Sequence, residues 1–126
     1  MERKRMIGVL ALIIISVFLA SFGQIYMKIG LKNTGGLKIE EVVSVRFFHI
    51  VFDRYVLLGI CLYIVSATLW LVVLSQAEIS FAYPLIAIAY IITAFLAKIY
   101  FNEHIGILRW LGILLILAGV FFITRS

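Results

Sequence analysis

The sequence predicts an all-α membrane protein with four transmembrane helices and a short interfacial amphipathic helix in the first loop. The 126-residue chain is 65% hydrophobic and only 13% charged, far less charge than the surface of a soluble domain needs. Its apolar residues form four runs, each close to the roughly 20 residues that cross a bilayer as a helix. The strict two-residue alternation of membrane strands is absent.

The first predicted span covers residues 6–28 and follows three basic residues, Arg3, Lys4 and Arg5. Its apolar stretch is longer than the core of a signal peptide, so we expect a retained helix. The sequence NTGG, which follows this span, contains the helix-breaking residues that end it.

The first loop predicts an amphipathic helix over residues 39–51, lying in the membrane interface. Its apolar residues recur at helical spacing, whereas its acidic residues fall largely on another face. A loosely ordered loop is the alternative. The apolar set is Ile39, Val42, Val43, Phe47, Ile50 and Val51.

Three further spans are predicted at about residues 55–74, 80–101 and 105–124. The sequences SQAE and NEH separate them and are long enough only for tight hairpins. The whole chain, residues 1–126, is therefore expected to form a single four-helix transmembrane domain, and the protein to be a multi-pass protein of the plasma or inner membrane.

The net charge of +5 comes from basic residues scattered at the ends of apolar runs. This distribution is typical of residues that anchor helices at the lipid head groups, and it makes nucleic acid an unexpected partner. Four Lys and Arg residues fall on the side of the chain termini and six on the other side. Because this bias is small, the orientation stays open, and insertion in both orientations would allow an antiparallel dimer.

The sequence contains no constellation typical of an enzyme, a metal site or a cofactor site. His49 and His104 lack metal-ligand spacing with a cysteine or an acid. Asp53 and Glu103 are interpreted as loop carboxylates that do not form the matching pair an acid–base enzyme site needs. The chain is therefore not expected to be an enzyme.

Three polar residues, Ser21, Gln24 and Lys28, share one face near the end of the first span. Lys28 has two interpretations: it extends to the head groups, or it points into a cavity and meets an anion. Gln24 lies one turn deeper and needs a hydrogen-bond partner, which is either another helix or a ligand.

Aromatic residues with polar atoms lie on the two central spans: Tyr63 and Trp70 on the second, Tyr83 and Tyr90 on the third. A tyrosine hydroxyl in mid-span needs a partner. These side chains could line a chamber for an amphipathic ligand, and ordinary helix packing is the alternative.

The fourth span carries the small residues Gly112, Ala118 and Gly119, with the two glycines seven residues apart. Small residues let helix backbones approach closely, so this face predicts a dimer contact. Lining of a site within the single chain is the alternative.

Four stretches in this order, GQIYMK, AEISFAYPL, NEH and LGILLILAGV, resemble the drug/metabolite transporter superfamily, in particular its four-helix members. Gly23-Gln24 followed by Lys28, and then Ala82-Tyr83-Pro84, are most similar to the subunits that flip aminoarabinose linked to undecaprenyl phosphate. The resemblance implies that Lys28 meets the lipid phosphate and Gln24 the adjoining head group. The loop over residues 31–54 is larger than in those subunits, so the exact sugar stays open.

A second branch of the superfamily, the small multidrug resistance exporters, has a first-helix glutamate that binds protons and cationic drugs. Ala20 occupies that position here, and the first span has no carboxylate. We therefore expect a flippase of an anionic polyprenyl-phosphate-linked sugar or a similar amphipathic lipid. The alternatives are a proton-coupled exporter of cationic or hydrophobic compounds and a non-transporting accessory subunit. The expected assembly is a homodimer, or a heterodimer with a similar four-helix subunit.

Overall fold

The computed structural model describes residues 3–126, which form helices and turns and contain no strand. Four helical stretches are long and apolar enough to cross a membrane, which confirms the predicted fold class. The six α-helices are α1 (Arg3–Asn33), α2 (Val45–Val51), α3 (Arg54–Gln76), α4 (Ile79–Ala82), α5 (Ile88–Phe101) and α6 (Ile107–Arg125). The first span therefore extends beyond the predicted 6–28 at both ends, and the other three agree within about two residues.

The antiparallel helices α1 and α3 pack along a seam of small residues that repeat every seven positions. On α1 these are Ser16, Gly23 and Gly30, and they face Ser66, Gly59 and Val56 of α3. The contact is close: a Cβ added to Gly23 would lie 2.7 Å from the Gly59 carbonyl oxygen. We call this contact the α1–α3 seam.

The two serines of the α1–α3 seam form a reciprocal hydrogen-bonded pair in the interior of the two spanning helices. Ser16 Oγ donates to the Ser66 carbonyl oxygen at 2.9 Å, and Ser66 Oγ donates to the Ser16 carbonyl oxygen at 2.7 Å. Both side chains are buried. Hydrogen bonds of this kind contribute roughly 0.6 kcal/mol each between membrane helices, so close backbone packing carries most of the contact.

The apolar core lies at the end of the bundle that holds both chain termini. It contains residues from every spanning helix: Val9, Ile13, Val17, Val73, Ala82, Leu85 and Val120. In an 18-residue apolar stretch of α1, a third of the residues are buried, against 11% in the corresponding stretch of α6. Helix α6 is thus the least covered of the four.

The first loop begins where the NTGG sequence predicts. Gly35 and Gly36 have φ angles of +88° and +90°, which residues with side chains rarely adopt. The Gly36 amide donates to the Leu31 carbonyl oxygen at 2.7 Å and so closes the end of α1. The break in the helix therefore has a local cause in the sequence.

The remainder of this loop is helical but broken, with a 3-10 helix over Ile39–Val43 followed by α2. The Arg46 guanidinium orders it by pairing with Glu41 at 2.8 Å and donating to the carbonyl oxygens of Thr34 and Gly36. Of the apolar residues that define the predicted amphipathic face, Ile50 is buried, whereas Ile39 and Val43 are 85% and 94% exposed. The interfacial location of the segment stays a prediction.

Two residues shape the first turns of the central spans. Asp53 caps α3, since its carboxylate accepts hydrogen bonds from the amides of Tyr55 and Val56. Pro84 lies in a 3-10 helix over Tyr83–Ala87 that interrupts the third span between α4 and α5. This interruption turns the start of the third span against the core, where Ala82 and Leu85 are buried.

Candidate functional site

A cavity of about 620 Å³ opens between α1, α5 and α6, at the end of the bundle opposite the chain termini. Its volume falls within the range of small-molecule sites, roughly 300–1,000 Å³. We call it the outer cavity. Its polar side chains are Gln24, Lys28, Tyr90, Thr93, Glu103 and Arg109, and the remaining lining is apolar.

At the rim of the outer cavity Lys28 and Glu103 form an ion pair across 75 residues of sequence, with 2.5 Å between Nζ and Oε1. Both side chains are partly exposed, at 50% and 37%. The Lys28 ammonium also lies 4.9 Å from the centre of the Phe101 ring, and Lys32 lies 5.1 Å from the same ring. Cations on an aromatic face are attracted by its quadrupole, so Phe101 helps to hold both lysines near the rim.

The charges at this rim are mostly positive. The hydrogen bond from Lys28 lowers the pKa of Glu103, and the charges of Lys28, Arg109 and Lys32 act in the same direction. The carboxylate therefore stays ionised near neutral pH. Three cations face this one carboxylate, and the excess of positive charge favours an anionic ligand.

A second cavity of about 300 Å³ lies deeper in the bundle, between α1, α3 and the start of the third span. We call it the inner cavity. Gln24 lines both cavities, so that polar groups continue from the rim toward the middle of the bilayer. The other polar side chains of the inner cavity are Ser16, Ser21, Tyr63, Ser66, Trp70 and Tyr83.

Ser21 lies in the wall of the inner cavity and is 99% buried, since only 1% of it is exposed. Within residues 3–126 its Oγ has no hydrogen-bond partner. An unpaired buried hydroxyl is costly in an apolar environment. Ser21 is therefore a free donor and acceptor at a depth where the surrounding lipid offers neither.

Every residue predicted to bind substrate lines one of the two cavities. Gln24, Lys28 and Tyr90 belong to the outer cavity, whereas Tyr63, Trp70 and Tyr83 join Gln24 in the inner one. The two cavities adjoin at Gln24, which lines both. The role of these residues in binding stays a prediction.

The predicted dimer residues are divided between two environments. Gly112 lines the outer cavity, which agrees with the alternative that this face lines a site within the single chain. Ala118 and Gly119 are exposed. A Cβ added to either glycine would have no atom within 4 Å in the fold. The dimer contact itself stays a prediction.

The sequence analysis assigns no cation to Glu103, whereas in the structure Lys28 pairs with it. Arg109 also belongs to the outer cavity, although its position in the sequence suggested only an anchoring residue. The hairpin topology carried the missing signal: the NEH turn and the end of the first span must lie on the same side of the membrane. In the part of the chain that the structure describes, no group of three His, Cys, Asp or Glu side chains is placed to hold a metal ion.

A polar, cationic cleft that opens between spanning helices defines the class of protein: a helical membrane protein that accommodates a charged ligand. Residues 45–125 match the family model for the EamA-like transporter family. The chain belongs to this family, within the drug/metabolite transporters, and is a multi-pass inner-membrane transporter rather than an enzyme.

Curated relatives point to one kind of transporter. The chain is 31% identical to the probable 4-amino-4-deoxy-L-arabinose-phosphoundecaprenol flippase subunit ArnF of Photorhabdus laumondii, covering 89% of this chain and 93% of the relative. It is 24% identical to the probable ArnE subunit of the same flippase in Pseudomonas fluorescens, covering 92% and 96%. The ArnE subunit of Pseudomonas syringae is 37% identical over 46% of this chain and 54% of the relative. No solved structure matches the chain.

Proposed function

We propose that this protein is one subunit of a flippase that moves a polyprenyl-phosphate-linked sugar between the two leaflets of the inner membrane. The relatives that align over nearly the whole chain are named as flippase subunits for such a lipid. The observation that carries the proposal is the position of Lys28 at the rim of a cleft that continues inward through Gln24.

Lys28 and Arg109 hold the lipid phosphate in this proposal. They lie on α1 and α6, on two walls of the outer cavity, and their charges exceed that of Glu103. Charge-assisted hydrogen bonds to a phosphate are about twice as strong as neutral ones. The polyprenyl tail needs no binding site, because the exposed apolar faces of the helices leave it in lipid.

The sugar then moves past Gln24 into the inner cavity. There Ser21, Tyr63 and Tyr83 offer hydroxyl groups that replace the hydrogen bonds of water. Ser21 is about 10 Å from Lys28 along the helix, at 1.5 Å per residue. Polar groups at both depths reduce the cost of moving a sugar through hydrocarbon.

The active form is a dimer, either of two copies or of this chain with a similar four-helix subunit. Helix α6 is the least covered spanning helix, and Ala118 and Gly119 lie exposed on it. A second subunit that packs there would bury these residues and provide further walls for the substrate path. The relatives, which are named as subunits, support an assembly of more than one chain.

Proton-coupled export of cations has no comparable support. Ala20 lines the inner cavity where the exporters have a glutamate, and the four spanning stretches contain no Asp or Glu. A cationic ligand would also meet the excess positive charge of the rim.

The test of the proposed function is Lys28→Met in reconstituted vesicles, measured as the appearance of a labelled lipid-linked sugar in the far leaflet. Loss of the phosphate's charge partner should reduce the rate by about tenfold or more, since hydrogen bonds to charged groups contribute about 1.5–3 kcal/mol. Lys28→Arg should retain much of the activity because it keeps the charge.

Lys98→Met is the matched control. Lys98 is exposed near the same end of the bundle and lines neither cavity. If Lys28→Met flips the lipid as fast as the parent, Lys28 only anchors the helix at the head groups.

A further inference from the structure

The ion pair at the rim of the outer cavity poses a problem for a site that binds only a phosphate. The Glu103 carboxylate accepts a hydrogen bond from the Lys28 ammonium, with 2.5 Å between Oε1 and Nζ. A phosphate that binds Lys28 would therefore come close to a carboxylate. Two anions at that distance repel each other, and the repulsion weakens phosphate binding unless the carboxylate gains another cation.

The fold itself supplies no second partner in direct contact with Glu103. Within residues 3–126 its side chain forms one ion pair, the one with Lys28. Arg109 and Lys32 act on it only through space. When Lys28 turns to a phosphate, a cation on the ligand can take its place beside Glu103.

Glu103 is well placed to meet such a cation. The turn that carries it follows Asn102, whose left-handed φ of 55° ends α5 and directs the chain across the cavity toward α6. The carboxylate lines the same cavity as Lys28 and Arg109 but is attached to a different element from either. A small head group in this cavity can therefore contact both the cations and the carboxylate.

We propose that Glu103 is a specificity-determining residue, which accepts the protonated amine of an amino sugar while Lys28 and Arg109 hold the phosphate of the same lipid. The inference rests on the proposed function. In the structure Lys28 and Glu103 pair with each other. When the substrate binds, that ion pair is exchanged for two, one from Lys28 to the phosphate and one from Glu103 to the ammonium.

This exchange makes the site selective for a zwitterionic head group. A neutral sugar on the same phosphate breaks the Lys28–Glu103 pair and leaves the carboxylate without a cation. An amino sugar replaces the lost contact. The ammonium should accelerate flipping by about tenfold, the lower end of what a charge-assisted hydrogen bond contributes.

The experiment compares two synthetic lipids in vesicles, a polyprenyl-phosphate-linked amino-pentose and the same lipid with its amine acetylated. The measured quantity is the ratio of their flipping rates. We expect the parent to favour the amino lipid by about tenfold and Glu103→Gln to bring the ratio close to one. Glu103→Asp, which keeps the charge, should recover part of the preference.

Glu40→Gln is the matched control. It makes the same change at a carboxylate in the first loop, on the same side of the membrane and outside both cavities, and should keep the parent's ratio. The thermal unfolding midpoints of the variants show whether each one is folded.

The outcomes separate the two proposals. A parent that flips both lipids equally, or a folded Glu103→Gln that keeps the preference, overturns the role of Glu103 and leaves the flippase intact. A folded parent that flips neither lipid, both by itself and together with a similar four-helix subunit, overturns the proposed function, and the inference with it.

Discussion

The α1–α3 seam and helix α6 both carry glycines seven residues apart, yet the two pairs are packed in opposite ways. At Gly23 and Gly59 the two backbones are so close that no side chain fits between them. At Gly112 and Gly119 an added Cβ would meet no atom within 4 Å. The same sequence pattern thus forms a closed contact in one place and leaves open space in the other.

This difference separates a tightly packed pair of helices, α1 and α3, from the loosely covered helix α6. The α1–α3 seam holds α1 in place, and α1 presents Gln24 and Lys28 to the cavities. Helix α6 contacts the core through Val120, but at the other end the outer cavity separates it from α1. Residues of α6 are therefore available to a ligand and to a second subunit.

Gly59→Leu in the α1–α3 seam should have the largest effect of the substitutions considered. A side chain at Gly59 would collide with the Gly23 carbonyl oxygen and lie within 2.8 Å of the Met27 amide nitrogen. Since backbone atoms cannot move aside as a side chain can, we expect a loss of about 3 kcal/mol or more of folding free energy. Reversible unfolding in detergent micelles measures it.

Gly8→Leu on α1, the other helix of the α1–α3 seam, is the control. Gly8 has no atom within 4 Å of an added Cβ, so the change should stay within about 0.5 kcal/mol. Equal destabilisation by the two variants would show that the seam is not a tightly packed contact.

Gly119→Leu tests whether the exposed surface of α6 around Gly119 is a contact between subunits. A leucine fits there in the single chain, so the variant should fold like the parent. If a second subunit packs on this face, the added side chain forces the helices apart and weakens association by about tenfold or more. Dimer content in bilayers, measured by energy transfer between labelled subunits, gives the result. An unchanged dimer content would remove this face from the interface.

The sequence predicts the spans because hydrocarbon imposes a length and a composition that can be read locally. It also places Gln24 and Lys28 on one face, because helical spacing is local too. It does not show which helices pack together, so Gly23, Gly30 and Gly59 are not recognisable beforehand as one seam. The Lys28–Glu103 pair is missed for the same reason, since 75 residues separate its members.

Asp53 is a different case. Its position directly before an apolar run is a local N-cap signal, and sequence reasoning could have found it. Arg46 shows the opposite limit: its three partners lie five to twelve residues away in a loop whose conformation depends on Gly35 and Gly36.

The smallest expected effect is the pH dependence of the Lys28–Glu103 ion pair at the rim of the outer cavity. The groups that face Glu103 are Lys28 and Lys32 on α1 and Arg109 on α6, and the hydrogen bond from Lys28 is the main cause of its lowered pKa. A carboxyl with a lowered pKa is ionised at every pH above its ordinary value of 4.5. The ion pair is therefore fully present there, and it is lost only as the pH falls through the lowered pKa.

The preference for the amino lipid over its acetylated form should consequently stay constant from neutral pH to about pH 5, because neither Glu103 nor the ammonium changes charge in that interval. Below the ordinary carboxyl value the preference should decline toward that of Glu103→Gln, which should show no such dependence. The measurement is the ratio of flipping rates across the pH series, with a ¹³C NMR titration of the Glu103 carboxyl in detergent as the check on its cause. A preference that already falls between neutral pH and about pH 5 would mean that the three cations do not hold the carboxylate ionised. The rim of the outer cavity would then be less strongly positive than its side chains indicate.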